Sequence, residues 1–284
     1  MIDYPYSRQI TNQSGSSFAL SFYFLSKERR NGIRAVYAFS RLVDDAVDEA
    51  KNDDEARHQL ALWRSWLESC YQKGLAAQAP GIFHPLLPEL IDAIQRFKIP
   101  QSYFSDLLTG CEMDLAHKRY KTFAELEVYC YHVAGTIGLL CNQLFGFEGE
   151  KARQYALLLG TAFQLTNIIR DVGIDAKLGR IYIPQDEMGN FGVKESEILS
   201  GRLSPAFLDL MSYQAERAES YFQKASALLE PAEKKKILPA QIMAAFYHRI
   251  LHKLVKQKFP VFKKKVSLSA VEKAGLAAKV LVLG

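Results

Sequence analysis

The chain has 284 residues, of which 49% are hydrophobic and 24% charged, and it carries a formal net charge of +5. This is a globular composition, which excludes an extended disordered chain, and no apolar run approaches the roughly 20 residues that cross a bilayer. Residues 1–16 lack the apolar core of an export signal, and Cys70, Cys111, Cys130 and Cys141 have no Cys-x-x-Cys spacing, so a cytoplasmic protein with reduced thiols is expected.

No Gly/Ser- or Pro-rich linker and no internal repeat divides the chain, so one domain over residues 1–284 is expected, with residues 1–13 flexible. Ser14-Gly15-Ser16-Ser17-Phe18 then offers hydroxyls and backbone N–H groups ahead of a helix, readable as an ordinary N-cap or as an anion contact. In that helix Val36, Phe39, Val43 and Val47 make one apolar stripe, and Tyr37, Arg41, Asp44 and Asp48 make a polar, aromatic stripe beside it. Further helices are expected near 53–73, 85–97, 101–117, 122–145, 150–174, 203–229, 234–258 and 268–281. Breaks fall at Lys98-Ile99-Pro100, Gly146, Gly179 and Pro184. Strand-like alternation is nearly absent, so the fold class is all-α, a helical bundle around a central cavity. The lysines at 234–236, 253, 256, 258 and 263–265 read first as a solvated surface and second as a contact for anionic lipid; no nucleic-acid motif accompanies them.

Two acidic segments carry the chemistry. Asp44-Asp45-Ala46-Val47-Asp48 has Arg41 one turn earlier, within reach of a local ion pair, and Asn167-Ile168-Ile169-Arg170-Asp171-Val172-Gly173-Ile174-Asp175 follows a buried-looking stretch. Side chains four apart on a helix project about 40° apart. Asp44 and Asp48 therefore stack on one face, and Gln164, Asn167, Asp171 and Asp175 on another. Each segment alone also reads as a solvated acidic face or a helix end. Together, two facing ladders suit hard divalent cations that bridge carboxylates to phosphates, with the Arg170 guanidinium as a further diphosphate contact. Between them, Tyr129-Cys130-Tyr131-His132-Val133-Ala134-Gly135-Thr136-Ile137-Gly138 reads either as close helix packing or as room for a long apolar substrate, and His132 as a hydrogen-bonded core residue.

In order along the chain, these segments resemble the squalene/phytoene synthase family, the head-to-head prenyl synthases. The likeness runs through Ser17-Phe18, Tyr37 to Arg41, Asp44 to Asp48, Met113-Asp114-Leu115, Arg119-Tyr120, Tyr129 to Gly138, Gln164 to Asp175 and Gly179 to Pro184. The resemblance implies a single isoprenoid-synthase domain, most like bacterial presqualene diphosphate synthases of the hopanoid pathway, with bacterial phytoene synthases close behind.

It further implies that Asp44, Asp48, Asn167, Asp171 and Asp175 hold magnesium, with manganese as a substitute, against two prenyl diphosphates. Ser17, Arg41, Arg170, Tyr247 and Lys265 match diphosphate contacts. Phe18, Phe22, Tyr37 and Tyr129 offer aromatic faces to a cation, and Ala134, Gly138, Gln164 and Tyr182 complete the substrate-binding set. The candidate catalytic residues are Tyr129, Arg41, Arg170 and Asp45, with Tyr129 shaping proton loss. Gly15 replaces the first serine of the family's Ser-x-Ser-Phe motif, so only Ser17 is carried over.

The expected reaction is condensation of two farnesyl diphosphates to presqualene diphosphate. Its alternatives are phytoene synthesis from geranylgeranyl diphosphate, a dehydrosqualene or squalene synthase, and a non-catalytic assembly or lipid-handling factor. A cyclase or chain-elongating synthase fits the later motifs poorly. No Gly-x-Gly-x-x-Gly fingerprint occurs, so NADPH is not indicated, although the family's NADPH site is not a Rossmann fold and NADPH reduction stays open. Expected partners are the prenyl diphosphates, downstream isoprenoid enzymes and, peripherally, the inner membrane face, with no nucleic acid.

Overall fold

The computed structural model describes residues 3–14, 21–72, 84–116 and 118–283, and among these no strand occurs. The helices are α1 (Pro5–Gln13), α2 (Lys27–Asp48), α3 (Asp53–Gln72), α4 (Leu87–Phe97), α5 (Gln101–Ala116), α6 (Phe123–Cys130) and α7 (Thr136–Phe145). They continue with α8 (Glu150–Lys177), α9 (Gln185–Asn190), α10 (Glu195–Leu199), α11 (Pro205–Ala227), α12 (Pro231–Lys234), α13 (Leu238–Lys256) and α14 (Ala270–Leu283). No helix among the described residues is long and apolar enough to cross a membrane.

The segment expected to be flexible up to residue 13 is instead helical from Pro5 and docked. The buried Glu89 carboxylate on α4 accepts the N–H groups of Tyr6 and Ser7, each at 2.8 Å, and so caps the otherwise unpaired start of α1. The Tyr4 hydroxyl donates to Asp92 at 2.7 Å.

Helix α2 starts at Ser26, whose hydroxyl accepts the Arg29 N–H. Its stripe of Val36, Phe39, Val43 and Val47 is buried, each side chain contributing about 1.5–3 kcal/mol. Phe39 meets Trp63 and Phe104 edge-on at 5.5 and 4.9 Å, tying α2 to α3 and α5 in one continuous core. The long α8 runs through the centre and packs on α7, α11 and α13. The breaks expected at Lys98, Gly146 and Gly179 are left-handed residues with φ of 50°, 64° and 73°.

One element departs from expectation. The stretch over 122–145 is not one continuous helix: Tyr131–Gly135 winds as a π-turn between α6 and α7. Glycines press on it from both sides. A Cβ on Gly110 of α5 would lie 2.7 Å from Val133, and one on Gly160 of α8 would lie 2.6 Å from the Ala134 carbonyl oxygen. Such single-turn π segments cluster at functional sites.

Candidate active site

A cavity of about 600 Å³ runs among α2, α5, α7, α8 and α13. Its wall includes Tyr37, Arg41, Asp44 and Asp48 from α2, and Gln164, Asn167, Arg170, Asp171 and Asp175 from α8. Both ladders expected from the helical period thus face one space. Phe22, Tyr129, Ala134, Gly138, Tyr182, Tyr247 and Lys265 also line it. Ser17 and Phe18 fall outside the described residues.

Asp45 is a correction. It does not belong to the cavity wall among the described residues, because one step along a helix rotates it about 100° from Asp44. Its carboxylate is held instead by Arg41, whose Nη2 and Nε lie 2.6 and 2.9 Å away.

The acidic end is short of positive charge for the carboxylates it gathers. Solvent reaches Asp44 through the cavity, but protein surrounds it otherwise, and this burial, reinforced by Asp48 and Asp114, pushes its pKa up to about 7. The Cys111 thiol donates to it at 3.3 Å, a weak compensation. Asp175 is likewise pushed up to about 7, by burial first and then by Asp171. By contrast Asp171 is gripped by Arg170, whose Nε donates at 2.9 Å and whose Nη2 also bonds to it, and Lys265 Nζ lies 3.6 Å away. Arg180, just past α8, reaches Asp48 of the other ladder at 3.4 Å.

Asp114 on α5 sits between the two ladders. It accepts the hydroxyls of Tyr129 at 3.0 Å and Tyr182 at 2.7 Å, and burial raises its pKa. Tyr129 and Tyr182 stack with centroids 5.2 Å apart. Burial, with Asp114 next, raises the Tyr129 pKa well above that of an ordinary phenol, so this side chain stays neutral.

Deeper in, the wall turns apolar: Ile33, Val36, Ile137, Leu159 and Met243, with Phe145 and Tyr155. Gly138 serves packing as well as lining, since a Cβ there would lie 2.6 Å from the Ala156 carbonyl oxygen. Gly173 does not end a helix; α8 runs on to Lys177. A Cβ on Gly173 would lie 2.3 Å from the Val261 carbonyl oxygen, so this glycine lets the 260–265 segment cross α8 and bring Lys265 to Asp171.

The residues present fit divalent metal. The Asn167 amide nitrogen donates to Gln164 at 3.4 Å, while among the described residues its buried oxygen has no hydrogen-bond partner, an uncommon state for a native acceptor. The incompletely neutralised Asp44 and Asp175 point the same way. Among the described residues no three of these carboxylates bring oxygens within 4.8 Å of one another. The ladders are therefore not a closed protein cage but two half-sites, the arrangement magnesium takes when phosphate oxygens complete its shell.

Asp114 and Arg180 were missed as site residues, although both lie in segments the sequence singled out. The Met113-Asp114-Leu115 run, an aspartate between two apolar residues, was the available signal for the first.

The squalene/phytoene synthase family matches residues 11–272. Phytoene synthase of Arthrospira platensis is 31% identical over 300 residues, spanning 98% of this chain and 94% of that protein. The 15-cis-phytoene synthase of Synechococcus elongatus is 32% identical, spanning 92% and 87%. The chain spans only 64% of the length of the chloroplastic phytoene synthase of Narcissus pseudonarcissus, at 32% identity over 97% of this chain. A crystal structure of a dehydrosqualene synthase with ligand superposes with a TM-score of 0.85 at 28% identity, covering 99% of this chain and 95% of that one. Squalene synthase HpnC from Alicyclobacillus acidocaldarius shares the fold, with a TM-score of 0.80 at 24% identity over 90% of this chain and 94% of that one. The chain belongs to the squalene/phytoene synthase family.

Proposed function

We propose that this protein condenses two farnesyl diphosphates head to head into presqualene diphosphate, releasing one diphosphate and one proton. The observation that carries the reading is the pair of facing carboxylate ladders in a cavity whose wall is otherwise largely apolar. Asp44, Asp48, Asn167, Asp171 and Asp175 are the residues that would hold magnesium, which when bound supplies Lewis-acid charge to diphosphate oxygens.

The chain's own residues do the rest. Arg41, Arg170, Arg180 and Lys265 bind diphosphate oxygens and stabilise the charge that builds as the first substrate's C–O bond breaks. The resulting allylic cation lies among the faces of Phe22, Tyr37 and Tyr247, which stabilise charge without capturing it. The apolar walls keep out the water that would quench it. Attack by the second chain's double bond and loss of a proton close the cyclopropane. Tyr129, neutral and directing its O–H at Asp114, orients this end of the site, and the departed diphosphate takes the proton.

The farnesyl reading rests on the resemblance of the chain's motifs to presqualene diphosphate synthases; Phe145 and Tyr155 line the apolar part of the cavity. The similarity to phytoene synthases favours a second reading, condensation of two geranylgeranyl diphosphates.

Incubation of purified protein with magnesium and each prenyl diphosphate, without NADPH, followed by mass spectrometry, separates the two. Presqualene diphosphate from the C15 substrate is the expected product. A C30 hydrocarbon indicates a dehydrosqualene-type synthase, and a C40 product formed only from geranylgeranyl diphosphate establishes the second reading. No product from either substrate sinks prenyl transfer and returns the chain to a non-catalytic role.

A further inference from the structure

A second constellation of metal-ligating side chains lies outside the cavity. His248 and His252, four apart on α13, stack on one helix face, their ring centroids 4.4 Å apart. Glu219 of α11 faces them. Its Oε2 is 2.8 Å from His248 Nε2 and 3.8 Å from His252 Nε2, and the two Nε2 atoms are 3.3 Å apart. None of the three lines the cavity.

Protons satisfy this triangle only weakly. If His248 Nε2 gives its hydrogen to Glu219 at 2.8 Å, His252 Nε2 at 3.3 Å gets at most a share of the same hydrogen; if it carries none, it meets the carboxylate lone pair to lone pair. A cation resolves both contacts at once. The point equidistant from three atoms so spaced lies about 2.0 Å from each, which is the bond length of zinc to imidazole nitrogen and carboxylate oxygen. Two imidazoles and one carboxylate suit zinc-class ions and not magnesium, which demands oxygen.

The surroundings orient the ligands. Gln223, one turn after Glu219, donates to its other oxygen, Oε1, at 3.2 Å, and Phe222 meets the His248 ring edge-on with centroids 5.2 Å apart. His252 is 58% exposed, leaving an open coordination position toward solvent.

We propose that Glu219, His248 and His252 form a zinc-class cation site that clips α11 to α13, separate from the acidic ladders. The clip bears on the cavity through packing. Phe222 lies against Phe163 at 6.1 Å, and Phe163 stacks on the cavity residue Tyr247 at 4.3 Å.

The test uses tag-free full-length protein in metal-depleted buffer with excess magnesium, so that the carboxylate ladders do not compete for the probe. Titration with zinc, followed by calorimetry and thermal unfolding, yields one saturable equivalent and a rise in Tm. Cobalt substituted for zinc gives the visible absorption of a nitrogen-ligated ion. His252→Ala and, separately, Glu219→Gln lower zinc affinity by at least about tenfold and remove the Tm rise. Both keep the prenyl-transfer rate measured with magnesium alone. No saturable zinc binding, or affinity unchanged in both variants, overturns the proposal.

Discussion

Asp48→Ala lowers kcat/KM for prenyl transfer by on the order of 10²–10³-fold, the scale of losing one preorganised electrostatic contact to a transition state. Tm stays close to that of the wild type. This residue is the cleaner of the ladder probes. Its side chain is 60% exposed, and its ion pair to Arg180 is long at 3.4 Å. Partly exposed pairs of this kind contribute about 1 kcal/mol or less, so a loss of activity cannot be charged to unfolding. Asp171→Ala should be at least as inactive, but it also strips the half-buried Arg170 of its carboxylate and costs stability besides. Diphosphate release and thermal unfolding, measured together, separate the two effects. An Asp48→Ala enzyme within threefold of the wild-type rate contradicts the metal assignment.

Magnesium affinity rises with pH up to about 7 and then levels. Asp44 and Asp175 are lifted from 3.8 to about 7, chiefly by burial and secondarily by neighbouring carboxylates. The folded, metal-free state therefore binds protons that the unfolded chain has already released. Its stability from these two groups is fully present below about pH 4 and falls as pH rises toward 7, where the penalty is complete. A metal ligand must be ionised, so cation binding below pH 7 displaces these protons, at about tenfold in affinity per pH unit for each proton released. The magnesium-induced rise in Tm accordingly grows between pH 6 and pH 8. Calorimetry in buffers of different ionisation enthalpy counts the protons directly. Affinity flat across this range, with no proton release, refutes the electrostatic account.

Much of this was legible because it rests on the helical period. Tyr37, Arg41, Asp44 and Asp48 were expected on one face, and all four line the cavity. The same rule held for Gln164, Asn167, Asp171 and Asp175. Asp45 fails by that same geometry, since adjacency in sequence sets neighbouring residues on different faces. What the period cannot carry is contact between elements distant in sequence. Asp114 matters because α5 places it beside Tyr129 of α6 and Tyr182 of the loop after α8, a meeting that no single segment encodes. Nothing around Gly173 signals its packing partner, the Val261 backbone, which lies 88 positions later. The π-turn was invisible for the same reason: it is held by Gly110 and Gly160 from two other helices.

The central claim is that α2 and α8 offer two half-sites completed by a diphosphate. Crystals soaked with manganese and a non-ionisable thio analogue of farnesyl diphosphate, recorded at the manganese edge, test it most directly. The account predicts anomalous peaks against Asp44 and Asp48 and against Asn167, Asp171 and Asp175, each peak also touching diphosphate oxygen, and much weaker peaks without the analogue. Full occupancy with the analogue bound but no manganese at either ladder would contradict it.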